Sequence, residues 1–175
     1  MGFRKPALTF LLLLLLPLSS CFGIDRSGGI MKYRAGTALT GTGSFHVSRL
    51  PPPWKGPKIR LKQLIHENDP LQATIVTDAL CGPKYDDGPL PKLAAEMFQK
   101  MTDRKIASQI TLTIDGRSAY RMRGQGRMDG VLLEMDVVVL KKNLCLYDMV
   151  YVAPPAAFSR GEKDFEDYIH GFQTN

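Results

Sequence analysis

Apolar and polar residues follow two different periods along this chain, and each period predicts a different element. Between residues 90 and 101, apolar side chains recur every three or four positions, which predicts an amphipathic helix with one buried face. The residues of this stripe are Leu90, Leu93, Ala94, Met97, Phe98 and Met101. Elsewhere the alternation has a period of two, which is typical of strands. It predicts strands at residues 58–66, 71–80, 106–114, 118–128, 131–140 and 144–153.

Two of these strands are predicted to form a hairpin. Asp129-Gly130 separates them, and this dipeptide favours a two-residue turn. With that turn, the apolar positions of both strands share one face, and Arg123 on the other face lies opposite Asp136. A single register therefore satisfies both faces.

The next turn sets the register of the last strand. A three-residue turn at 141–143 predicts that Tyr147 lies on the same side of the sheet as Val137. It also places Asp148 opposite Asp136.

The chain closes with a second amphipathic helix. Ser159 and Glu162 have the spacing of a capping box at its start. Its apolar face is formed by Phe165, Tyr168, Ile169 and Phe172. The order of strands, helix, antiparallel meander and helix predicts an α+β fold, with one domain at 45–175 and one antiparallel sheet of about six strands flanked by helices.

Residues 1–20 are typical of an export signal. Arg4 and Lys5 precede an apolar run of ten positions, 7–16, interrupted only by Thr9, and Pro17 follows it. Because ten residues are too few to cross a hydrocarbon core of about 30 Å, we favour a removable signal over a membrane helix.

The end of this signal resembles a bacterial lipobox, Leu-Ser-Ser-Cys at 18–21. The resemblance implies cleavage before Cys21 and a lipid anchor of acyl chains, including palmitate, on that residue. Ordinary cleavage nearby, for instance after Gly23, is the alternative. The residue after the cysteine is Phe22. In Gram-negative lipoproteins an Asp at this position retains the protein at the inner membrane, so Phe22 implies sorting to the outer membrane, with the domain facing the periplasm. Residues 21–44 are rich in Gly, Thr and Ser and are predicted to form the lipidated N-terminus and a flexible tether that can end in a first strand. The alternative is that the whole segment packs as an irregular edge of the domain.

Composition limits the partners more than it identifies them. With 44% hydrophobic and 23% charged residues, the chain is unlike disordered or coiled-coil sequences, and three cysteines are too few for a disulfide scaffold. The formal charge of +6 falls by two, to +4, without residues 1–20, which hold two basic residues and no acid. In an exported protein this small excess does not indicate nucleic acid as the partner.

The domain resembles the fold shared by the photosystem protein PsbP, the Ran-binding Mog proteins and DcrB-like bacterial lipoproteins. The resemblance covers roughly residues 45–172. It rests on the helix LPKLAAEMFQKM, the strand junction ITLTIDGRSAYRMRG and the final strand and helix, YDMVYVAPPAAFSRGEKDFEDYIHGF. Members of this fold are mostly adaptors and assembly factors, so the resemblance implies no catalytic residues.

A stripe of arginines is the main candidate for binding. The four residues are Arg117, Arg121, Arg123 and Arg127, and in a regular strand they share one face. A guanidinium fork suits phosphate and carboxylate, so the stripe predicts a site for an anionic headgroup or an acidic partner. The alternative is a solvated face of ion pairs with Glu134, Asp136 and Asp148.

Two cysteines and three histidines complete the candidates. If Cys21 carries lipid, Cys81 and Cys145 can form a disulfide in an oxidising compartment, although Cys145 also suits a small buried apolar position. The three histidines are His46, His66 and His170. None has the spacing of a metal motif, so we expect no metal, and we expect no cofactor.

The predicted function is a non-catalytic binding or assembly module for envelope proteins, with a transport system as one setting. A carrier of a lipid or small amphiphile, held between sheet and helix, is the alternative, and a hydrolase is third. Trp54 follows three prolines and is expected to cover one end of the core, with an exposed binding role as the alternative.

Overall fold

The computed structural model describes residues 28–82 and 88–175, and these ranges contain two β-sheets and two α-helices. In chain order the elements are β1 (Lys32–Arg34), β2 (Thr37–Leu39), β3 (Ser44–His46), β4 (Lys55–Arg60), β5 (Gln63–Asn68), β6 (Ala73–Cys81), α1 (Leu90–Met97), β7 (Thr102–Ile114), β8 (Arg117–Met128), β9 (Val131–Lys142), β10 (Cys145–Ala153), α2 (Pro155–His170) and β11 (Gln173–Thr174). The α+β class agrees with the prediction, but there are sheets of four and seven strands and not one of about six.

The large sheet has the strand order β4-β5-β6-β10-β9-β8-β7, and the small sheet has the order β1-β2-β3-β11. Helix α1 packs on one face of the large sheet, where the buried residues are Ala94, Phe98, Met101, Met122, Met135, Val137, Val139 and Leu146. Helix α2 and the small sheet share a larger core on the other face, built around Phe45, Tyr147, Met149, Tyr151, Phe158, Phe165, Tyr168 and Phe172. The large sheet is thus the middle of three layers.

The predicted hairpin between β8 and β9 is confirmed. Met128 pairs with Val131 across the Asp129-Gly130 turn, and the register continues without a shift to Ala119 and Leu140. The even-numbered residues of β8 lie on the α1 face, where Met122 is buried. Two signals predict this register independently. One is the Asp-Gly turn, whose twist matches that of the strands, and the other is the continuous apolar face.

The predicted register between β9 and β10 is wrong by three residues. The turn has two residues, Asn143 and Leu144, both with positive φ, and Cys145 pairs with Lys142. Because side chains alternate along a strand, this shift moves Tyr147 to the α2 face. It also places Asp148 opposite Val139 on the α1 side, not opposite Asp136.

The predicted strand at 58–66 is two strands joined by a tight turn. Leu61 and Lys62 adopt positive φ values of 49° and 65°, and β4 folds back on β5. Neither residue is typical of this turn, because positive φ favours Gly, Asn or Asp. The turn therefore has no strong signal in the sequence.

The prediction of a flexible tether over 21–44 does not hold for residues 28–44. This part contains β1, β2 and the start of β3, and Ile30 and Ala38 are fully buried in the core of the α2 face. Strand β3 pairs with the C-terminal β11, which joins the two ends of the domain. The segment is rich in Gly and Thr, but it buries single apolar residues that the composition did not reveal.

The two helices differ in extent from their predictions. Helix α1 ends at Met97, and Phe98 and Met101 are buried in the irregular segment that follows it. Helix α2 begins at Pro155, four residues before the predicted capping serine, because proline suits the first turn of a helix. No helix of the described residues is long and apolar enough to cross a membrane.

Candidate functional site

Strand β8 carries the predicted arginine stripe, and helix α2 covers part of it. Arg121 donates from Nε and Nη2 to both carboxylate oxygens of Asp136, at 2.9 and 2.7 Å, and from Nη1 to Glu166 at 2.6 Å. The Asp136 side chain is fully buried. Burial raises the pKa of Asp136 and Arg121 opposes this shift, while the two carboxylates outweigh burial and raise the pKa of Arg121. Arg121 is thus held in a bidentate ion pair beneath the helix.

Arg123 has a second set of partners from the same two elements. Its Nε donates to Glu134 Oε1 at 2.8 Å, and its Nη1 donates to Glu162 Oε1 at 2.6 Å. The guanidinium carbon also lies 4.4 Å from the centre of the Phe158 ring. The Nε and Nη1 donors and one face of this guanidinium are therefore used by the chain itself.

The match between strand and helix follows from their geometry. Arg121 and Arg123 are two residues apart on a strand, a rise of about 6.6 Å. Glu162 and Glu166 are four residues apart on α2, a rise of about 6 Å. The two pairs therefore meet in register. The i, i+4 spacing of the glutamates is a signal in the sequence that could have identified α2 as the partner of the stripe.

The other two arginines of the stripe have different surroundings. Arg127 is exposed near the hairpin turn, donates to the Gly130 carbonyl at 2.9 Å and lies 3.7 Å from an oxygen of Asp103. Arg117 is exposed at the start of β8. The stripe is thus divided, with its middle closed by α2 and its ends open to solvent.

The structure joins Cys81 and Cys145 by a disulfide, with an S–S distance of 2.08 Å. The two residues are direct partners across β6 and β10, and both are almost fully buried. Thr42 Oγ1 lies 3.5 Å from the Cys145 sulfur, so the disulfide also contacts the chain between β2 and β3. The disulfide therefore lies where the large sheet meets the loop between β2 and β3 of the small sheet.

The predicted lipidation site, Cys21, lies outside the described residues, as does the export signal at 1–20. The described chain starts at Gly28 with a segment that packs against Cys81, since a Cβ on Gly28 would lie 2.4 Å from the Cys81 carbonyl oxygen. Any anchor at Cys21 would therefore be close in sequence to the folded domain.

The three histidines are not equivalent. His170 is exposed on α2 and lies 3.1 Å from Glu166. His46 and His66 are far apart in sequence, but both line one cleft. The described residues contain no group of three or more His, Cys, Asp or Glu side chains that could hold a metal ion.

This cleft lies between the small sheet and strands β4 and β5, and its volume is about 570 Å³. It is lined by Tyr33, Ala35, Gly36, His46, Val47, Arg49, Leu50, Pro52, Trp54, Gly56, Pro57 and His66. Gly36 has a φ of +88°, and a Cβ there would lie 2.4 Å from the His46 ring. A glycine is therefore required for the ring to lie at the cleft wall.

Trp54 covers one end of the core, as predicted, and also lines the cleft. It is buried, its ring meets Tyr151 edge to face at 6.3 Å, and its Nε1 donates to Asp164 of α2 at 2.8 Å. The hydrogen bond fixes the orientation of the indole. Trp54 is thus both a core side chain and part of the cleft wall.

No pattern in the sequence indicated that the polar groups of the cleft form a site. Burial raises the pKa of the Tyr33 hydroxyl, while a hydrogen bond with the Gly36 backbone and the charge of Arg49 oppose this shift. His66 is 3% exposed, and burial lowers its pKa to about 4, so its ring is neutral at pH 7. Its position could have been a signal, because it occupies an inward position of β5 between Leu64 and Asn68.

Asp148 is a buried acid on the other face of the sheet. It pairs directly with Asp78 across β6 and β10, and its Oδ1 has no hydrogen-bond partner among the described residues. Burial, followed by the charges of Asp78 and Glu96, raises its pKa to about 7. Asp78 accepts a hydrogen bond from Gln63 at 2.8 Å. Asp148 is thus a buried carboxyl group whose charged neighbours, Asp78 and Glu96, are also acids.

No known protein-family model matches this sequence, and no curated protein matches it. Solved structures do match. LpqN of Mycobacterium tuberculosis, described as involved in cell envelope biogenesis, is 13% identical, with a TM-score of 0.54 over 76% of this chain and 85% of its own. Cyanobacterial PsbP from Synechocystis is 10% identical, with a TM-score of 0.52 over 91% of this chain and 99% of its own.

A third structure is the protein PA94 of Pseudomonas aeruginosa, of unknown function and described as a putative regulator. It is 16% identical to this chain, with a TM-score of 0.50 over 79% of this chain and 92% of its own. Identities this low carry the fold and no activity. The chain has a PsbP-like α+β fold.

Proposed function

We propose that this protein is a lipid-anchored, non-catalytic module of the bacterial cell envelope that binds another envelope protein along the open edge of its large sheet. The anchor is Cys21, and the binding element is strand β7. The fold supports the setting, because its relative LpqN is described as involved in cell envelope biogenesis. The observation that carries the proposal is the exposure of β7.

Strand β7 is 13 residues long, is the last strand of the large sheet, and pairs with no described strand on its outer side. Every residue from 102 to 111 is exposed, including Ile106 and Ile110 at 41% and 50%. Between Ser108 and Ile114 its pairing with β8 is regular. A straight, uncovered edge offers backbone donors and acceptors to an extended segment of a partner, and the aliphatic side chains provide specificity.

The start of β7 is different. The register shifts twice before Ser108, and Arg104 and Lys105 are exposed there. Bulges and charges discourage indiscriminate pairing of sheet edges. We therefore assign the regular half to pairing, and we expect the partner segment to carry an acidic residue where it passes the basic start.

The alternative of an amphiphile carrier finds no room where the sequence placed it. The space between the large sheet and α2 is filled by Tyr151, Phe158 and Phe165, which stack at 4.6 and 5.6 Å between ring centres. A hydrolase remains the third possibility, and the arginines and acids beneath α2 are used in pairing with each other. Neither alternative has a feature as extensive as β7.

Site-specific photo-cross-linking in cells tests the partner. A photoreactive phenylalanine at Ser108 of β7 is expected to give one cross-linked envelope protein, and the same residue at Lys163, exposed on α2, is the control. The cross-link should disappear when Ile106 and Ile110 are both changed to Lys in a chain that still unfolds cooperatively. A cross-link of equal yield from Lys163, or one that survives the double change, would contradict the assignment of β7.

Cys21→Ala tests the anchor separately. We expect the variant to leave the membrane fraction and to lose metabolic labelling with palmitate. Cys145→Ala is the control, because it removes a cysteine within the domain, together with its disulfide to Cys81, and should leave both properties unchanged. Continued membrane association of Cys21→Ala with unchanged labelling would reject the lipoprotein assignment.

A further inference from the structure

The cleft between the two sheets contains polar groups that the described chain does not satisfy. His66 is 3% exposed, and its Nδ1 has no hydrogen-bond partner among residues 28–82 and 88–175. Native proteins keep few such atoms, because a buried polar atom without a partner lowers stability. The ring is fixed by an edge-to-face contact with Tyr168 at 5.4 Å between centres, so it cannot turn freely toward solvent. A group that enters the cleft could supply the missing hydrogen bond.

The same cleft contains an unused cation. Arg49 is exposed, and no carboxylate of the described residues forms an ion pair with it. It is also the only residue with a permanent charge among those that line the cleft. This contrasts with Arg121 and Arg123, each of which contacts two carboxylates. A cation left open in a concave site is suited to bind an anionic group.

The remaining wall is apolar and rigid. Trp54 is held in place by its hydrogen bond to Asp164, and Leu50, Pro52 and Pro57 lie around the same cleft. A planar indole beside prolines favours a flat or compact apolar body. The volume of about 570 Å³ lies within the range of small-molecule sites.

We infer that this cleft is a binding site for a small organic anion. A carboxylate, phosphate or sulfonate group of the ligand pairs with Arg49, its apolar body lies against Trp54, and a polar atom of the ligand bonds to His66. The site is separate from strand β7 and does not depend on the proposed function.

The chain has a single Trp, and it lies in the cleft, so its fluorescence reports binding directly. We would titrate the purified protein with anilinonaphthalene sulfonate and with N-phenylnaphthylamine, which has the same rings without the sulfonate. Energy transfer from Trp54 to the sulfonate is expected to saturate. The neutral analogue should bind about tenfold more weakly, since it lacks the charge-assisted hydrogen bond.

Two matched variants locate the anion. Arg49→Gln should weaken binding of the sulfonate about tenfold, and it should bring its affinity close to that of the neutral analogue. Arg160→Gln removes the same charge from an exposed position on α2 and should bind like the original protein. Equal affinity for both dyes, or an equal loss in both variants, would overturn the inference.

Competition separates a free anion from a lipid surface. Naphthalene sulfonate, which is soluble, should displace the dye and restore Trp54 fluorescence, whereas inorganic phosphate, which has no apolar body, should not. Displacement by phosphatidylglycerol vesicles alone would reject the small-anion site in favour of a membrane contact. Cross-linking from Ser108 should be unaffected by Arg49→Gln, so this inference and the proposed function can fail independently.

Discussion

Two polar regions on the same face of the large sheet are built from similar side chains and differ in whether the chain completes them. Beneath α2, Arg121 and Arg123 each contact two carboxylates at 2.6 to 2.9 Å. In the cleft, Arg49 has no ion pair within the described residues, and the buried His66 nitrogen has no partner. The first region is electrostatically closed and the second is open.

The contrast explains why basic residues alone are a poor guide to binding. The stripe on β8 is the densest run of arginines in the chain, yet its two central members hold α2 against the sheet. Arg49 stands alone in the sequence and becomes notable only when the fold places it beside Tyr33, Trp54 and His66. A group available to a ligand is recognised by the partners it lacks, which are visible only in the folded chain.

The largest expected effect comes from opening the closed region. Asp136→Ala leaves the guanidinium of Arg121, 14% exposed, without its bidentate partner, and we expect the free energy of unfolding to fall by about 3–5 kcal/mol. Urea unfolding measures this loss. The double variant Arg121→Met and Asp136→Leu should recover much of it, because no buried charge is left alone.

A control on the same helix sets the scale for this prediction. Asp167→Ala breaks the exposed pair with Lys163 and should cost less than about 1 kcal/mol. If Asp136→Ala costs no more than Asp167→Ala, the region beneath α2 is not a buried ion pair, and the contrast with the cleft fails.

The second effect shows what a buried carboxyl does without a cation. Burial beside Asp78 raises the pKa of Asp148 to about 7, from an ordinary value of 3.8. The native state therefore keeps a proton that the unfolded chain releases, so stability falls as the pH rises from about 4 to about 7 and stays low above it. Asp148→Asn is neutral at every pH, so it should be more stable than the original by up to roughly 4 kcal/mol at pH 8. Below pH 4 the difference should vanish.

Urea unfolding across this pH range measures the effect, and Asp129→Asn is the control. Asp129 lies in the exposed hairpin turn, where asparagine suits the positive φ of 50°. That variant keeps Asp148, so its stability should fall with rising pH by the same amount as that of the original protein. A gain from Asp148→Asn that is the same at pH 4 and pH 8 would mean that its pKa is not raised.

The sequence predicted those parts of the fold in which local chemistry and the apolar pattern agree. The β8–β9 register follows from Asp129-Gly130 and from alternating faces, and it is confirmed to the last pair. Where only one signal was present, the prediction was wrong. The turn at Asn143 and Leu144 is one residue shorter than expected and begins two residues later. The pairing therefore shifts by three residues, an odd number that moves Asp148 to the opposite face.

The candidate site was harder to predict because it depends on contacts between distant segments. Thr40 and Thr42, from the segment predicted to be a tether, contact the sulfurs of Cys81 and Cys145. Three segments of the chain meet at the cleft, with Tyr33, Trp54 and His66 as examples. No spacing in the sequence records this meeting, because each residue is ordinary for its own element.

The smallest effect comes from the cleft, where a substitution removes the buried polar atom that lacks a partner. His66→Phe keeps the edge-to-face contact with Tyr168 and removes the buried nitrogen that has no partner. Because an unsatisfied polar atom lowers stability, we expect the free energy of unfolding to rise by about 1 kcal/mol. The same change should weaken binding of anilinonaphthalene sulfonate several-fold, measured by energy transfer from Trp54.

A gain in stability together with a loss of binding is characteristic of a residue kept for a ligand. His170→Phe is the control, because His170 is exposed on α2 and contacts only Glu166 among the described residues. It should change neither quantity by a measurable amount. If His66→Phe instead destabilises the protein and leaves dye binding intact, His66 is part of the packing, and the cleft is no more open than the region beneath α2.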